Sequence, residues 1–215
     1  MCPESRQNDT VSLSREDRDL DEDVAAHRTP EYDIDPVFVN RWSPRAMTGE
    51  PLDEAEFLPL FEAARWAPSA YNNQHWRFVY ATREDDEWDT FVDLLTENNR
   101  RWATDASVLV AIFSKTTFDH NGEPALTNSF DTGAAWQNLA LEGTRRDLAL
   151  HPMAGFDWGR IHEALGVPED EFDAEAMVAI GKRAPKERLP EELQEREAPS
   201  DRKPLADLVS HGQFE

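Results

Sequence analysis

Along residues 53–67 the apolar side chains fall at Phe57, Leu60, Phe61 and Ala64, the three-and-four spacing of a helix buried on one face. Asp53 and Glu56 stand three apart at its head, a pair able to cap a first turn reciprocally. Pro68 should end the helix, because the residue before a proline is pushed out of the helical region. Pro59 lies inside and removes one backbone donor, so a kink or a later start is expected. A polar loop, Ser69 to Gln74, follows. Trp76, Phe78 and Tyr80 then alternate with Arg77 and Val79, which predicts a strand over 76–81.

Elsewhere the pattern predicts a short helix over 36–42 ending before Pro44, and an amphipathic helix over 84–98 carrying Trp88, Phe91, Leu94 and Leu95. Val108 to Phe113, continuous and rich in β-branched residues, reads as a buried strand. A long helix is predicted over 131–148, with Gly133, Ala134, Ala135, Ala140 and Gly143 allowing close approach of another element. A helix–helix seam, within a subunit or between two, is expected there. Asp157 should cap a short helix that stops at Gly166 before Pro168, and Met177 to Ile180 reads as a strand. Residues 185–199 are charged and extended or partly helical. The sum is an α+β domain over 36–215. Residues 1–35, polar and poor in large apolar side chains, are expected to form a disordered or loosely draped acidic arm.

The 69–74 loop, set between a core helix and a core strand, is either an ordinary polar connection or the wall of a small-molecule site. Charge narrows the classes. Acidic residues number 44 against 22 basic, a net charge of −22, which argues against nucleic-acid and anionic-membrane partners. Only four of the basic residues are lysine (Lys115, Lys182, Lys186, Lys203), and that balance suggests a halophilic protein whose self-repulsion is screened by salt. Cys2 is the single cysteine, and no histidine pair has ligand spacing, so no metal site is expected. The longest apolar run is too short to span a bilayer, and a cytoplasmic location is the expectation. Neither a Rossmann fingerprint, a Walker loop nor a nucleophile elbow is present.

Two basic clusters stand out against this acidity. Arg41-Trp42-Ser43-Pro44-Arg45 sets two guanidiniums around a hydroxyl in a segment stiffened by proline, a donor set suited to phosphate. Ion pairs with Asp35, Asp53 or Glu54 are the competing explanation. Arg202-Lys203 lies near the C-terminal end, before an apolar turn with Leu205 and Leu208.

With Ala63 to Phe78 (AARWAPSAYNNQHWRF), Asp131 to Leu139 (DTGAAWQNL), His151 to Asp157 (HPMAGFD) and Asp201 to Leu205 (DRKPL), these segments resemble, in order, the FMN-dependent nitroreductase family. The likeness runs from about residue 36 onward. It implies a nitroreductase-like fold, a central mostly antiparallel sheet flanked by helices, in an intertwined homodimer with FMN at the interface. By the same resemblance Arg41, Trp42, Ser43, Arg45, Arg202 and Lys203 would surround the phosphate and ribityl chain. Pro68, Ser69, Ala70 and Asn72 would meet the flavin ring from the other subunit, with Asn99, Met153, Ala154 and Gly155 near its reactive edge.

The implied activity is ping-pong transfer of hydride from NADH or NADPH, through FMN, to an electron-poor small-molecule acceptor such as a nitroaromatic or quinone. The alternative is a flavin-binding or scavenging protein without turnover. No catalytic acid or base is identified, since the chemistry resides on the flavin. Four departures from the family pattern stand out. His75 replaces the usual proline and would loosen the loop, Trp42 holds a position usually basic or polar, Ala154 stands where some members carry glutamate, and Arg145-Arg146-Asp147 replaces a glycine-containing turn.

Overall fold

Residues 19–214 are described by the structure, a computed structural model. The short helices α1 (Glu22–Ala25) and α2 (Pro36–Asn40) precede α3 (Glu54–Arg65) and the first strand, β1 (Trp76–Thr82). Helices α4 (Trp88–Leu94) and α5 (Glu97–Ala103) lead to β2 (Val108–Lys115), and α6 (Asn128–Arg145) leads to β3 (Leu148–Met153). After α7 (Ile161–Leu165) come β4 (Phe172–Lys182) and α8 (Glu191–Gln194).

The strands form one antiparallel sheet in the order β1-β2-β4-β3. Both faces of β2 are covered, which explains its unbroken apolar run. Val108, Val110 and Ile112 pack with Phe57, Leu60, Ala64, Ala135 and Leu139 of α3 and α6. Leu109, Ala111 and Phe113 pack with Phe91, Leu94, Trp102 and Ile161 of α4, α5 and α7.

Several expectations are corrected. Helix α3 begins at Glu54 and runs through Pro59, with the Asp53 N–H donating to Glu56 Oε2 at 2.9 Å. The carbonyl that Pro59 leaves unpaired belongs to exposed Ala55, so water can meet it and no later start is needed. The helix expected over 84–98 is broken at Leu95 and Thr96. Leu95 bridges Phe156, the Asp157 N–H donates to the Leu94 carbonyl at 2.8 Å, and the Thr96 N–H to that of Gly155 at 3.0 Å. Those bonds use backbone groups that a continuous helix would need for itself.

Strand β3 was hidden in sequence by His151 and Pro152. As an edge strand paired only with β4, it tolerates a residue without an N–H. The expected helix–helix seam on α6 is formed with α3 within the chain, where Ala134 and Ala135 pack beside Leu60 and Ala64 and Asn138 Nδ2 donates to the Ala63 carbonyl at 3.2 Å, whereas Gly143 serves β3, since a Cβ there would collide with Leu150 Cδ1. Gly133, by contrast, faces open space.

Of the arm expected over 1–35, residues 1–18 lie outside the described residues. Residues 19–35 lie against the domain. Val24 is fully buried, and Asn40 exchanges hydrogen bonds with the Asp21 N–H (3.0 Å) and the Asp19 carbonyl (3.1 Å). Polar contacts, invisible to a count of apolar residues, hold this stretch on the domain.

Candidate functional site

Segment 41–45 leaves α2 in extended backbone and passes beside β3. The carbonyl oxygens of Ser43 and Pro44 face His151 Nδ1 at 2.7 and 3.3 Å. His151 also packs edge-on against Trp102, with ring centroids 4.6 Å apart. Burial, and then the Arg45 charge, push its pKa down to about 4. A neutral His151 therefore pins the segment to the sheet as an N–H donor.

The two arginines of the segment are not equivalent. Glu197 Oε1 accepts from the Arg45 and Ala46 N–H groups at 2.6 and 2.9 Å, and Glu197 Oε2 lies 3.7 Å from the Arg45 guanidinium. Arg45 is thus braced to the C-terminal stretch, with a charge partner the sequence reading did not foresee. Arg41 touches Ser43 Oγ at 3.5 Å and, among the described residues, pairs with no carboxylate. Asp35, offered as a competing partner, lies 3.6 Å from Arg145 instead. The indole of Trp42 is covered by Arg183, 4.9 Å from ring centroid to guanidinium carbon.

Arg202 comes close to Arg41, and its charge, after burial, lowers the Arg41 pKa. A third guanidinium joins them. Arg28, only 7% exposed, donates from Nε to the Ser200 carbonyl (2.7 Å) and from Nη1 to the carbonyls of Val39 (2.6 Å) and Arg41 (3.0 Å). Arg202 Nη1 donates to the same Ser200 carbonyl at 3.1 Å. Among the described residues none of these three arginines has a carboxylate within ion-pair distance. Lys203 is exposed and lines a cleft of about 390 Å³ with Arg28, Arg202, Phe38 and Leu208. Clustered guanidiniums repel one another, and a multivalent oxyanion offsets that repulsion with planar donor contacts. The donor set fits a phosphate.

Where β3 ends, Met153 buries its side chain, while Ala154 is exposed. The Gly155 carbonyl accepts from Asn99 Nδ2 at 2.9 Å and from Thr96 Oγ1 at 3.1 Å. The structure thus brings Asn99 and residues 153–155 together, on the same edge of the sheet as His151 and Ser43.

The loop after α3 is elsewhere, anchored at the opposite edge, beside β1. Three of its residues, Tyr71, Asn72 and Gln74, have φ of 53°, a left-handed conformation that costs a non-glycine residue about 1–2 kcal/mol. Ser69 Oγ accepts the Gln74 N–H at 3.0 Å, Gln74 Nε2 reaches the Asn72 carbonyl at 3.1 Å, and buried Asp131 accepts the Ala70 N–H at 2.9 Å. His75, expected to loosen the loop, ties it down instead. It is fully buried, its Nδ1 faces the Lys115 carbonyl at 2.9 Å, and its otherwise unpartnered Nε2 lies 3.7 Å from Asp131 Oδ2. Pro68 and Asn72 are exposed beside Trp66 and Tyr71, which are 72% and 82% exposed.

Sequence reasoning missed Arg28, His151, Glu197 and the Asp131–Ala70 contact. Each acts across more than sixty residues of chain, or from the stretch taken as an arm. Among the described residues no cluster of histidine, cysteine and carboxylates could hold a metal, and no helix is long and apolar enough to cross a membrane.

The nitroreductase family model matches residues 39–101 and 82–182. A solved oxidoreductase containing FMN is 46% identical, with a TM-score of 0.84, over 87% of this chain and 96% of its own. A 15.4 kDa protein of Mycolicibacterium smegmatis is 33% identical over 135 residues, 62% of this chain and 88% of its own. MhqN of Bacillus subtilis (strain 168), provisionally assigned as an NAD(P)H nitroreductase, is 22% identical over 67% of this chain and 85% of its own.

Proposed function

The chain belongs to the nitroreductase family, and from that premise we propose an FMN-dependent oxidoreductase that draws on NADH or NADPH and reduces an electron-poor acceptor such as a nitroaromatic or quinone. The observation that carries this reading is the pair Arg41 and Arg202, joined through Arg28 and the Ser200 carbonyl and without carboxylate partners among the described residues, in a chain of net charge −22. A field that negative disfavours a free anion, so a site that binds one must concentrate cations locally. The FMN in the relative of 46% identity supports the choice of anion.

In this reading Arg41, Arg202 and the Ser43 hydroxyl hold the phosphate, Arg45 and Trp42 shape the segment, and Lys203 adds charge at the mouth. Bound there, FMN would supply the redox chemistry, two-electron transfer from the nicotinamide donor to the acceptor in ping-pong order. The exposed Ala154 and half-buried Gly155, steadied by Asn99, would lie near the reactive edge of the ring. The buried Met153 side chain anchors that stretch. No side chain there is assigned an acid or base role.

The loop carrying Pro68, Ser69, Ala70 and Asn72 serves the flavin of a second copy. Three strand spacings, roughly 14 Å, separate its edge of the sheet from that of Met153. A homodimer also covers Trp66, Tyr71, Leu126 and Phe130, large apolar side chains left exposed in one chain. The reaction belongs in a cytoplasm, where nicotinamide donors are found, and the charge suits a saline one.

The test is direct. Purified protein should be yellow or take up FMN, bleach with NADH or NADPH under anaerobic conditions, and recover colour on adding a quinone or nitroaromatic. Protein that takes up no FMN, even at high salt, overturns the reading. Retained FMN that neither nucleotide bleaches leaves a flavin-binding protein without turnover.

A further inference from the structure

Arg28 lies thirteen residues before Arg41 in the chain and 172 before Ser200 in sequence separation, yet it touches the backbone of both. Three of its five N–H donors are spent on carbonyls: Nε on Ser200, and Nη1 on Val39 and Arg41. Its guanidinium is therefore a fixed spacer rather than a mobile surface charge. Ser200 matters as much, because its carbonyl accepts from Arg28 and from Arg202 alike. The two phosphate-directed arginines come from opposite ends of the domain, and Arg28 is the side chain that bridges the Arg41 carbonyl to that of Ser200, two residues before Arg202.

The placement is electrostatically costly in the free protein. Burial, followed by the charges of Arg202 and Arg41, lowers the Arg28 pKa, and only Asp201 raises it. A lysine at this position could not reproduce the fork, since one ammonium cannot meet carbonyls on both sides in fixed planar geometry.

Resting on the phosphate reading above, we propose that Arg28 is a positioning residue for the anion site. It holds Arg41 and the Arg202 turn at the separation that a terminal phosphate bridges, and so makes the 19–35 stretch part of the cofactor site.

The experiment compares FMN with riboflavin, which lacks the phosphate, by fluorescence titration of full-length apoprotein. The parent, Arg28→Gln, Arg28→Lys and Arg41→Ala are measured, with thermal unfolding recorded for each. The parent should prefer FMN strongly. Arg28→Gln should lose at least tenfold of that preference while its riboflavin affinity stays within twofold, and Arg28→Lys should lose a smaller part. A role confined to packing would lower the unfolding midpoint without changing the preference ratio.

If both Arg28 variants keep the parent ratio while Arg41→Ala loses it, the positioning role is wrong and the phosphate site stands. If Arg41→Ala also keeps the ratio, the phosphate reading fails and the proposal fails with it. Should Arg28→Gln not fold, an unchanged ratio in Arg28→Lys is by itself enough to overturn the proposal.

Discussion

Asn99 Nδ2 donates to the Gly155 carbonyl oxygen at 2.9 Å, joining the first turns of α5 to the turn that follows β3. The approach is close because residue 155 has no side chain. A Cβ there would fall 2.6 Å from Asn99 Nδ2 and 2.9 Å from Thr96 Oγ1. Gly155→Ala should therefore displace Asn99 and lose about 1–3 kcal/mol of stability, the usual scale of overpacking. Chemical denaturation of Gly155→Ala, Asn99→Ala and the double variant checks this. The alanine at 155 should cost less once Asn99 is truncated, and strict additivity would show that the two do not clash.

Arg41→Ala removes the one guanidinium of segment 41–45 that lacks a carboxylate partner. FMN binding should weaken by about 1.5–3 kcal/mol, the scale of a charge-assisted hydrogen bond. Isothermal titration of apoprotein with FMN measures the loss, and an unchanged affinity would remove Arg41 from the phosphate site.

His75→Pro introduces the residue that the family pattern favours, yet it should destabilise this chain. Gln74 sits at φ 53°, and a following proline drives its predecessor toward extended backbone. The buried imidazole that faces the Lys115 carbonyl at 2.9 Å would also be lost. We expect a penalty of about 2 kcal/mol in denaturant unfolding. A variant as stable as the parent would mean that the loop conformation does not depend on His75.

His151 links stability to pH. Its folded pKa is about 4, below the ordinary 6.5. The stabilisation from keeping it neutral is therefore complete above pH 6.5 and drains away as pH falls from there through 4. Its full size is at most roughly 3 kcal/mol. His151→Asn should be less stable than the parent at pH 7.5, with the gap closing toward pH 4. Parallel pH profiles for the two proteins would contradict this.

The 44 acidic residues set against 22 basic ones should make stability rise with salt. Unfolding midpoints measured from dilute buffer to molar KCl should climb as self-repulsion is screened. A flat profile would rule out the saline reading.

The sequence alone determined most of the frame. Phe57, Leu60 and Ala64 announced α3, Val108 to Phe113 announced the central strand, and Gly166 announced the end of α7, because periodicity and caps are local and survive without tertiary context. It also supplied Arg41, Asn99 and Gly155 as candidate site residues. Only the tertiary structure decided which guanidiniums stay unpaired. Arg45 meets Glu197 across 152 residues, and Arg28 spans to Ser200, contacts that no window on the chain contains. The break at Leu95 and Thr96, the tying of the loop by His75, and the edge position that lets Pro152 sit in a strand have the same origin. Each depends on a backbone group finding its partner in a distant segment, and that pairing exists only once the sheet has assembled.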